Sequence, residues 1–150
     1  MWYRKQEIIK NVAMLTIGDP SVYSTYMYIH KRIMQAGFTA VMISGVPSFC
    51  AAAARLGISI GEMMDEIHII PASYDVRATV GYGGTCVYMK SGKKLAELIE
   101  VLRTGDAIRK NKMTVYGVTN CGMESERVYR GLDELTEAKG YLTIVIVKYS

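Results

Sequence analysis

The chain has 150 residues and a formal net charge of +4; half of its residues are hydrophobic and 21% are charged. This composition supports a packed core and excludes a largely disordered chain. Its apolar runs are much shorter than the roughly 18 residues of a membrane helix, and no apolar segment of signal-peptide length follows the basic N-terminus, so we expect neither a membrane partner nor secretion.

The first part of the chain alternates predicted strands and helices. Val12–Ile17 is a short apolar run, typical of a buried strand, and Asp19 is positioned to cap the helix that follows. Apolar side chains then recur at helical spacing as far as Gly37, and Thr39–Ile43 is a second predicted strand. This order indicates a parallel α/β arrangement.

Two capped helices are predicted next. Ser48 precedes an alanine-rich helix at Phe49–Leu56, and Gly57 is expected to end it. Ser59 and Glu62 have the spacing of a capping box, which predicts a further short helix.

A polar linker is predicted after Pro71. We therefore expect two α/β domains, residues 1–71 and 72–150. The second domain is predicted to contain strands at Thr85–Lys90, Met113–Val118 and Leu142–Val147, and helices at Leu95–Gly105 and Glu124–Ala138.

The loops after predicted strands carry the candidate binding groups. Ligands of open α/β sheets bind at the carboxyl ends of the strands. The runs Gly18–Thr25 and Gly45–Phe49 each place a glycine, hydroxyl groups and free N–H groups at a helix N-terminus, although caps and turns explain each run equally well. The run Gly81–Gly84 precedes a strand and not a helix, which argues against a phosphate loop.

Other reactive side chains give weaker signals. Cys50, Cys86 and Cys121 are too widely spaced for a metal-binding pair, so we expect free thiols in a reducing, cytoplasmic setting and no metal site. His68 lies in an apolar run and is interpreted as structural. The basic run Arg109–Lys112 has no interleaved aromatic residue, so no nucleic-acid partner is expected.

Taken together, the runs resemble the tetrapyrrole methylase family. The resemblance rests on Met14–Thr25, on Gly45–Phe49 with the helix after it, and on Val87–Lys90. Tyr23–Thr25 and Cys121–Glu124 are most similar to the members that methylate C-20 of precorrin-2 or cobalt-factor II in cobalamin biosynthesis.

The resemblance implies a two-domain α/β enzyme that transfers a methyl group from S-adenosylmethionine to a macrocycle carbon, with the cofactor folded between the domains. It implies cofactor contacts from two N-terminal loops and from the C-terminal domain: Gly18, Asp19, Val22, Tyr23, Ser24 and Thr25, then Pro47 and Ser48, then Met89, Asn120 and Cys121. The methyl group is already activated on the sulfonium, so alignment dominates the chemistry and no catalytic side chain is assigned.

The chain also departs from the family pattern. The family opens with a strand and a loop of the form G-x-G-P-G-D, and this sequence has neither. We therefore expect an incomplete N-terminal domain and no turnover by this chain alone.

The resemblance implies a homodimer. Two alternatives stay open: a non-catalytic fragment that binds S-adenosylmethionine, and a sister methylase that acts at another ring carbon.

Overall fold

The computed structural model describes residues 11–71, 75–79, 82–109 and 113–149. The chain forms two compact units, Met1–Gly45 and Val46–Ser150. No helix within the described ranges is both long enough and apolar enough to cross a membrane.

Helix α1 (Tyr26–Gln35) is the one helix or strand among the described residues of the N-terminal unit. It begins later than predicted, and Asp19 does not cap it, because the Asp19 carboxylate instead accepts a hydrogen bond from the Ser21 backbone N–H at 2.8 Å. Tyr23 has a φ of 49°. That left-handed conformation cannot continue a right-handed helix, so α1 starts only after it. Gly37 follows the helix end, as predicted.

The two strands predicted in this unit are not formed among the described residues. Val12–Ile17 and Thr39–Ile43 have no strand pairing, and Val12, Leu15 and Ile43 are 89%, 91% and 83% exposed. A buried strand needs neighbours that pair its backbone and cover its side chains. The described residues of this unit supply neither, so these two predictions are wrong for the chain as it stands.

Helix α2 (Ser48–Leu56) opens the C-terminal unit close to its predicted position and ends before Gly57, as predicted. Pro47 is its N-cap residue, and the Ser48 side chain makes no capping hydrogen bond. The predicted capping box is also absent. The Ser59 hydroxyl donates to the carbonyl of Gly61 at 2.7 Å, and the segment forms a turn and not a helix.

A five-stranded sheet forms the centre of the C-terminal unit. Its spatial order is β1-β2-β5-β3-β4; β1 is parallel to β2, and the other neighbours are antiparallel. The strands are β1 (Ile67–Pro71), β2 (Thr85–Met89), β3 (Met113–Thr119), β4 (Arg127–Arg130) and β5 (Thr143–Tyr149). The α/β class is therefore confirmed, and β2, β3 and β5 lie where strands were predicted.

Two parts of the C-terminal unit differ from prediction. Ile67–Pro71, for which no strand was predicted, pairs with β2 as an edge strand. The helix predicted at Glu124–Ala138 is instead β4 followed by the short helix α4 (Leu132–Leu135). The spacing of Val128, Leu132 and Leu135 suits a helix, but the backbone of β4 pairs with β3 and so satisfies its hydrogen bonds in the sheet.

One face of this sheet carries the main core. Helix α3 (Leu95–Arg109) packs there and buries Leu98 and Leu102, as its periodicity predicted, although it continues past Gly105. Tyr88 of β2 is fully buried in the same cluster, and its hydroxyl lies 2.8 Å from the Thr79 hydroxyl.

The compact units differ from the domains predicted at 1–71 and 72–150. Helix α2 packs against β3 and β5, and β1 is part of the same sheet, so residues 46–71 belong structurally with the C-terminal unit. The division into domains 1–71 and 72–150 stays a prediction.

Candidate functional site

The Asp19 carboxylate joins the loop after Gly18 to Gly45, the last residue of the N-terminal unit. One oxygen accepts hydrogen bonds from the backbone N–H and the hydroxyl of Ser21, and the other accepts from the backbone N–H of Gly45 at 2.9 Å. The loops approach so closely that a Cβ at residue 45 would overlap the carbonyl oxygen of Gly18. Glycine at position 45 is therefore required by a backbone-to-backbone contact.

These hydrogen bonds make Asp19 a stable anion. The two bonds from Ser21, and then the bond from the Gly45 N–H, lower the pKa of the Asp19 carboxyl. A carboxylate offers about four acceptor positions, so three donors leave room for one more. A ligand hydroxyl or ammonium group is the chemistry that such a partly exposed anion suits.

The rest of the first loop is ordered by local hydrogen bonds. The Val22 N–H donates to the Asp19 carbonyl at 3.2 Å, and the Tyr26 N–H donates to the Ser24 hydroxyl at 3.2 Å. Thr25 is the N-cap residue of α1, and Tyr23 is exposed. The structure thus places the six predicted residues in one loop, from Gly18 to Thr25, and brings Gly18 and Asp19 of this loop against Gly45.

Pro47 and Ser48 lie at the N-terminus of α2, in the C-terminal unit. The Cys50 and Ala51 N–H groups both donate to the Pro47 carbonyl. A helix N-terminus leaves its first N–H groups without intrahelical partners and carries a partial positive charge. It therefore suits an anionic or hydrogen-bond-accepting part of a ligand.

Met89 and Asn120 lie at one edge of the sheet. Strands β2 and β3 both run antiparallel to β5, so they point the same way and their carboxyl ends share an edge. Lys90 and Asn120, the residues that follow these strands, have φ values of 57° and 52°. Non-glycine residues with positive φ are uncommon and concentrate at binding and catalytic sites.

A loop at this edge contains functional candidates that the sequence analysis missed. Glu126 forms an ion pair with Arg55 of α2, and its second oxygen accepts the Gly122 N–H at 2.7 Å. Arg55 and Glu126 are 71 positions apart. Local spacing gives no signal for such a pair, since the fold alone brings them together.

Neighbouring groups shift the pKa values of Glu126 and Cys121 in this loop. Hydrogen bonds from Arg55 and from the Gly122 N–H lower the pKa of the Glu126 carboxyl. Burial, followed by the charge of Glu126, raises the pKa of the Cys121 thiol, so Cys121 is protonated at neutral pH. None of the three cysteines, all in described ranges, forms a disulfide.

Within the described ranges, no three His, Cys, Asp or Glu side chains are arranged to hold a metal ion. The histidines have local contacts: His30 Nδ1 lies 3.3 Å from the Tyr26 hydroxyl, and His68 Nε2 lies 3.5 Å from Glu66. His68 is part of β1, in keeping with the structural role predicted for it.

Comparison with solved structures defines the class of fold. The chain is 16% identical to the cobalamin biosynthetic enzyme cobalt precorrin-4 methyltransferase, with a TM-score of 0.71 over 87% of this chain and 61% of that one. It is 17% identical to uroporphyrin-III C-methyltransferase from Thermus thermophilus complexed with S-adenosyl homocysteine, with a TM-score of 0.66 over 87% and 62% of the two chains.

Sequence comparison gives the family. Residues 4–136 match the profile of the tetrapyrrole (corrin/porphyrin) methylases, and the chain belongs to this family. It is 32% identical to a probable cobalt-precorrin-2 C(20)-methyltransferase of Methanocaldococcus jannaschii over 91% of this chain. It is 29% identical to precorrin-4 C(11)-methyltransferase of Rhodococcus erythropolis over 62% of this chain. It spans 58% and 42% of the lengths of these two relatives.

Proposed function

We propose that this chain is part of an S-adenosylmethionine-dependent C-methyltransferase that acts on a tetrapyrrole in cobalamin biosynthesis. Membership of the tetrapyrrole methylase family over residues 4–136 is the observation that carries the proposal. The related fold of a methyltransferase complexed with S-adenosyl homocysteine supports the choice of cofactor.

The substrate that we propose is precorrin-2 or cobalt-factor II, methylated at C-20. Support comes from the Methanocaldococcus relative, which matches 91% of this chain, whereas the C(11)-methyltransferase matches 62%. A sister methylase that acts at another ring carbon is the near alternative.

The residues present fit the proposed cofactor. Bound S-adenosylmethionine supplies an activated methyl group on a sulfonium. The Asp19 carboxylate, held by Ser21 and Gly45, has an acceptor position for a ribose hydroxyl or the ammonium group. The N-terminus of α2 at Pro47–Ser48 suits the cofactor carboxylate or adenine nitrogens. Met89 and Asn120–Cys121 are proposed to contribute from the sheet edge of the C-terminal unit.

Positioning is the main catalytic requirement for such a reaction. The methyl group needs no activation by the protein, and a reduced tetrapyrrole carbon is itself a nucleophile. The protein has to hold donor and acceptor about 3–3.5 Å apart and to exclude water. Backbone-defined loops such as Gly18–Asp19 and Asn120–Cys121 are suited to that task, because their conformations are fixed by internal hydrogen bonds.

A second function is a non-catalytic module that binds S-adenosylmethionine without turnover. Val12–Ile17 and Thr39–Ile43 are exposed and have no strand pairing with the described residues, which favours this function for the chain in isolation. Exposed apolar segments without strand pairing also favour association, so we propose a homodimer. We propose a cytoplasmic setting, in keeping with three cysteines in the described ranges that form no disulfide.

Two measurements on the same preparation separate these functions. Calorimetric titration with S-adenosylhomocysteine measures binding, and mass spectrometry of precorrin-2 after incubation with methyl-labelled S-adenosylmethionine measures transfer. Binding with labelled product supports the enzyme, and the position of the label identifies the ring carbon. Binding without product supports the module, and absence of binding contradicts both.

A further inference from the structure

The loop from Asn120 to Glu126 is fixed by hydrogen bonds at each end. The Asn120 N–H donates to the Leu142 carbonyl at 3.0 Å, which ties the loop to the start of β5. The Asn120 side-chain amide donates to the Ser125 hydroxyl at 2.9 Å. The Met123 N–H donates to the Asn120 carbonyl, and the Glu126 N–H donates to the Met123 carbonyl. These bonds leave Asn120 and Cys121 at the head of a closed turn.

Glu126 connects this turn to a second element. One carboxylate oxygen pairs with Arg55 on α2, and the other accepts the Gly122 N–H at 2.7 Å. Gly122 has a φ of 80°, a conformation that favours glycine, and it directly follows Cys121. The Glu126 side chain is 16% exposed and the Arg55 side chain 59% exposed, so the carboxylate is the inner member of the pair.

A nearby acid provides a direct contrast. Glu124 lies in the same loop, carries the same charge and is exposed, and it forms no hydrogen bond or ion pair with the described residues. The contacts are therefore specific to Glu126, and the general acidity of the loop does not explain them.

We infer that Glu126, held by Arg55, is a positioning residue that fixes Asn120 and Cys121 in the conformation used to contact the cofactor. The inference rests on the proposed function and deepens it. Without the carboxylate, the Gly122 N–H loses its acceptor, and the link from the loop to α2 is lost. The loop then samples other conformations, and part of the binding free energy is spent on ordering it.

The reactivity of the Cys121 thiol measures the conformation of the loop without any ligand. Its thiol is partly buried beside Glu126, and both burial and the Glu126 charge raise its pKa. Removing Glu126 leaves Arg55, which lowers the pKa of Cys121, and frees the turn. Both effects increase the rate at which iodoacetamide alkylates Cys121. Cys50 is exposed and remote from these contacts in sequence, so it serves as an internal reference.

The test compares Glu126→Ala with the matched variant Glu124→Ala in the full 150-residue chain. Calorimetry measures the Kd of S-adenosylhomocysteine, and peptide mass spectrometry follows the alkylation of Cys121 relative to Cys50. We expect E126A to weaken binding about tenfold, the scale of one lost hydrogen bond to a charged group. Cys121 should react faster in E126A, and E124A should match wild type in both readouts.

A second variant covers the case in which E126A does not fold. Glu126→Gln keeps an amide oxygen that can accept the Gly122 N–H and loses the charge that pairs with Arg55. We expect E126Q to fold and to bind S-adenosylhomocysteine more weakly than wild type, and less weakly than E126A where that variant folds.

The outcomes are distinguishable. If wild type binds S-adenosylhomocysteine and both E126A and E126Q bind it as tightly as wild type does, the inference is overturned while the proposed function stands. The same holds if E124A weakens binding as much as E126A does. If wild type itself does not bind S-adenosylhomocysteine, the proposed function fails and the inference fails with it.

Discussion

The backbone N–H of Gly45 donates a hydrogen bond to the carboxylate of Asp19 at 2.9 Å, across 26 positions of sequence. The same carboxylate holds Ser21 in the turn that follows Gly18. Asp19 therefore joins two loops and does not cap a helix. The two N-terminal loops that the family resemblance implicates in cofactor binding share this one anchor.

Removing this anchor should weaken cofactor binding. Asp19→Ala removes the acceptor for Ser21 and Gly45 together with the charge proposed to face the ligand. We expect the affinity for S-adenosylhomocysteine to fall about tenfold or more, as for a lost hydrogen bond to a charged group. Calorimetry measures it. Ser21→Ala is the matched control, because it removes one hydroxyl donor and keeps both backbone bonds to Asp19. Equal affinity of the folded D19A variant and wild type would reduce Asp19 to a loop anchor without a ligand role.

A second prediction concerns the close approach of the two loops. Gly45→Ala places a methyl group against the Gly18 carbonyl oxygen, so the loops must separate and the Asp19–Gly45 hydrogen bond must lengthen. S-adenosylhomocysteine should bind more weakly, with helicity unchanged by circular dichroism. Gly83→Ala is the control, since a Cβ there meets no atom within 4 Å. Unchanged affinity of G45A would mean that the ligand does not depend on this contact.

Elements whose own residue pattern identifies them were predictable from the sequence. Helix α3 shows its buried stripe at Leu95, Leu98 and Leu102, and β5 contains the apolar run Ile144–Val147 and lies in the middle of the sheet. The edge strand β4 was not predictable in this way. Its residues fit a helical spacing equally well, and only pairing with β3 decides between the two.

The third prediction tests the polar contact inside the core. Thr79 donates its hydroxyl to the Val76 carbonyl at 2.6 Å, so the buried Tyr88 hydroxyl donates to Thr79. Tyr88→Phe should lower the free energy of unfolding by about 1 kcal/mol, the net value of a hydrogen bond. Urea unfolding measures this loss. Tyr116→Phe is the control, because that side chain is half-buried and its ring contact with Arg130 does not need the hydroxyl. Equal losses in the two variants would contradict the account.

Tyr88 should also make the free energy of unfolding depend on pH in the alkaline range. Burial raises the pKa of Tyr88 above its ordinary value of 10.0. A raised pKa in the folded state means that the neutral phenol stabilises the fold fully below pH 10 and that this contribution is lost as pH rises above it. The difference in unfolding free energy between wild type and Tyr88→Phe should therefore shrink above pH 10. A constant difference would contradict the assignment.

A further prediction compares hydrogen exchange in the two units. Amide protons of Val12–Ile17 and Thr39–Ile43 should exchange faster than those of β5, because these segments have no strand pairing among the described residues and β5 is paired on both sides. Native-state hydrogen exchange measures it. Equal protection of Val12–Ile17 and Thr143–Tyr149 would mean that another chain, or residues outside the described ranges, pairs with the N-terminal segments.

The candidate site was only partly predictable, because some of its contacts join residues that are far apart in the sequence. The Gly18–Thr25 and Gly45–Phe49 loops carry local signals, namely glycine, proline and hydroxyl residues at turns. Their connection through Asp19 depends on a contact across 26 positions. The Arg55–Glu126 pair depends on one across 71 positions, for which the sequence has no local signal.

Hydrogen exchange with and without S-adenosylhomocysteine tests the central proposal most directly. If the chain binds the methyl-donor cofactor as proposed, the ligand should slow exchange in residues 18–25 and 45–48 and also in residues 89–90 and 120–122. All of these segments should saturate at the same ligand concentration. Absence of protection in one of these segments at saturating ligand would contradict the proposal that this segment contacts the cofactor, and absence of protection in all of them would contradict cofactor binding by this chain.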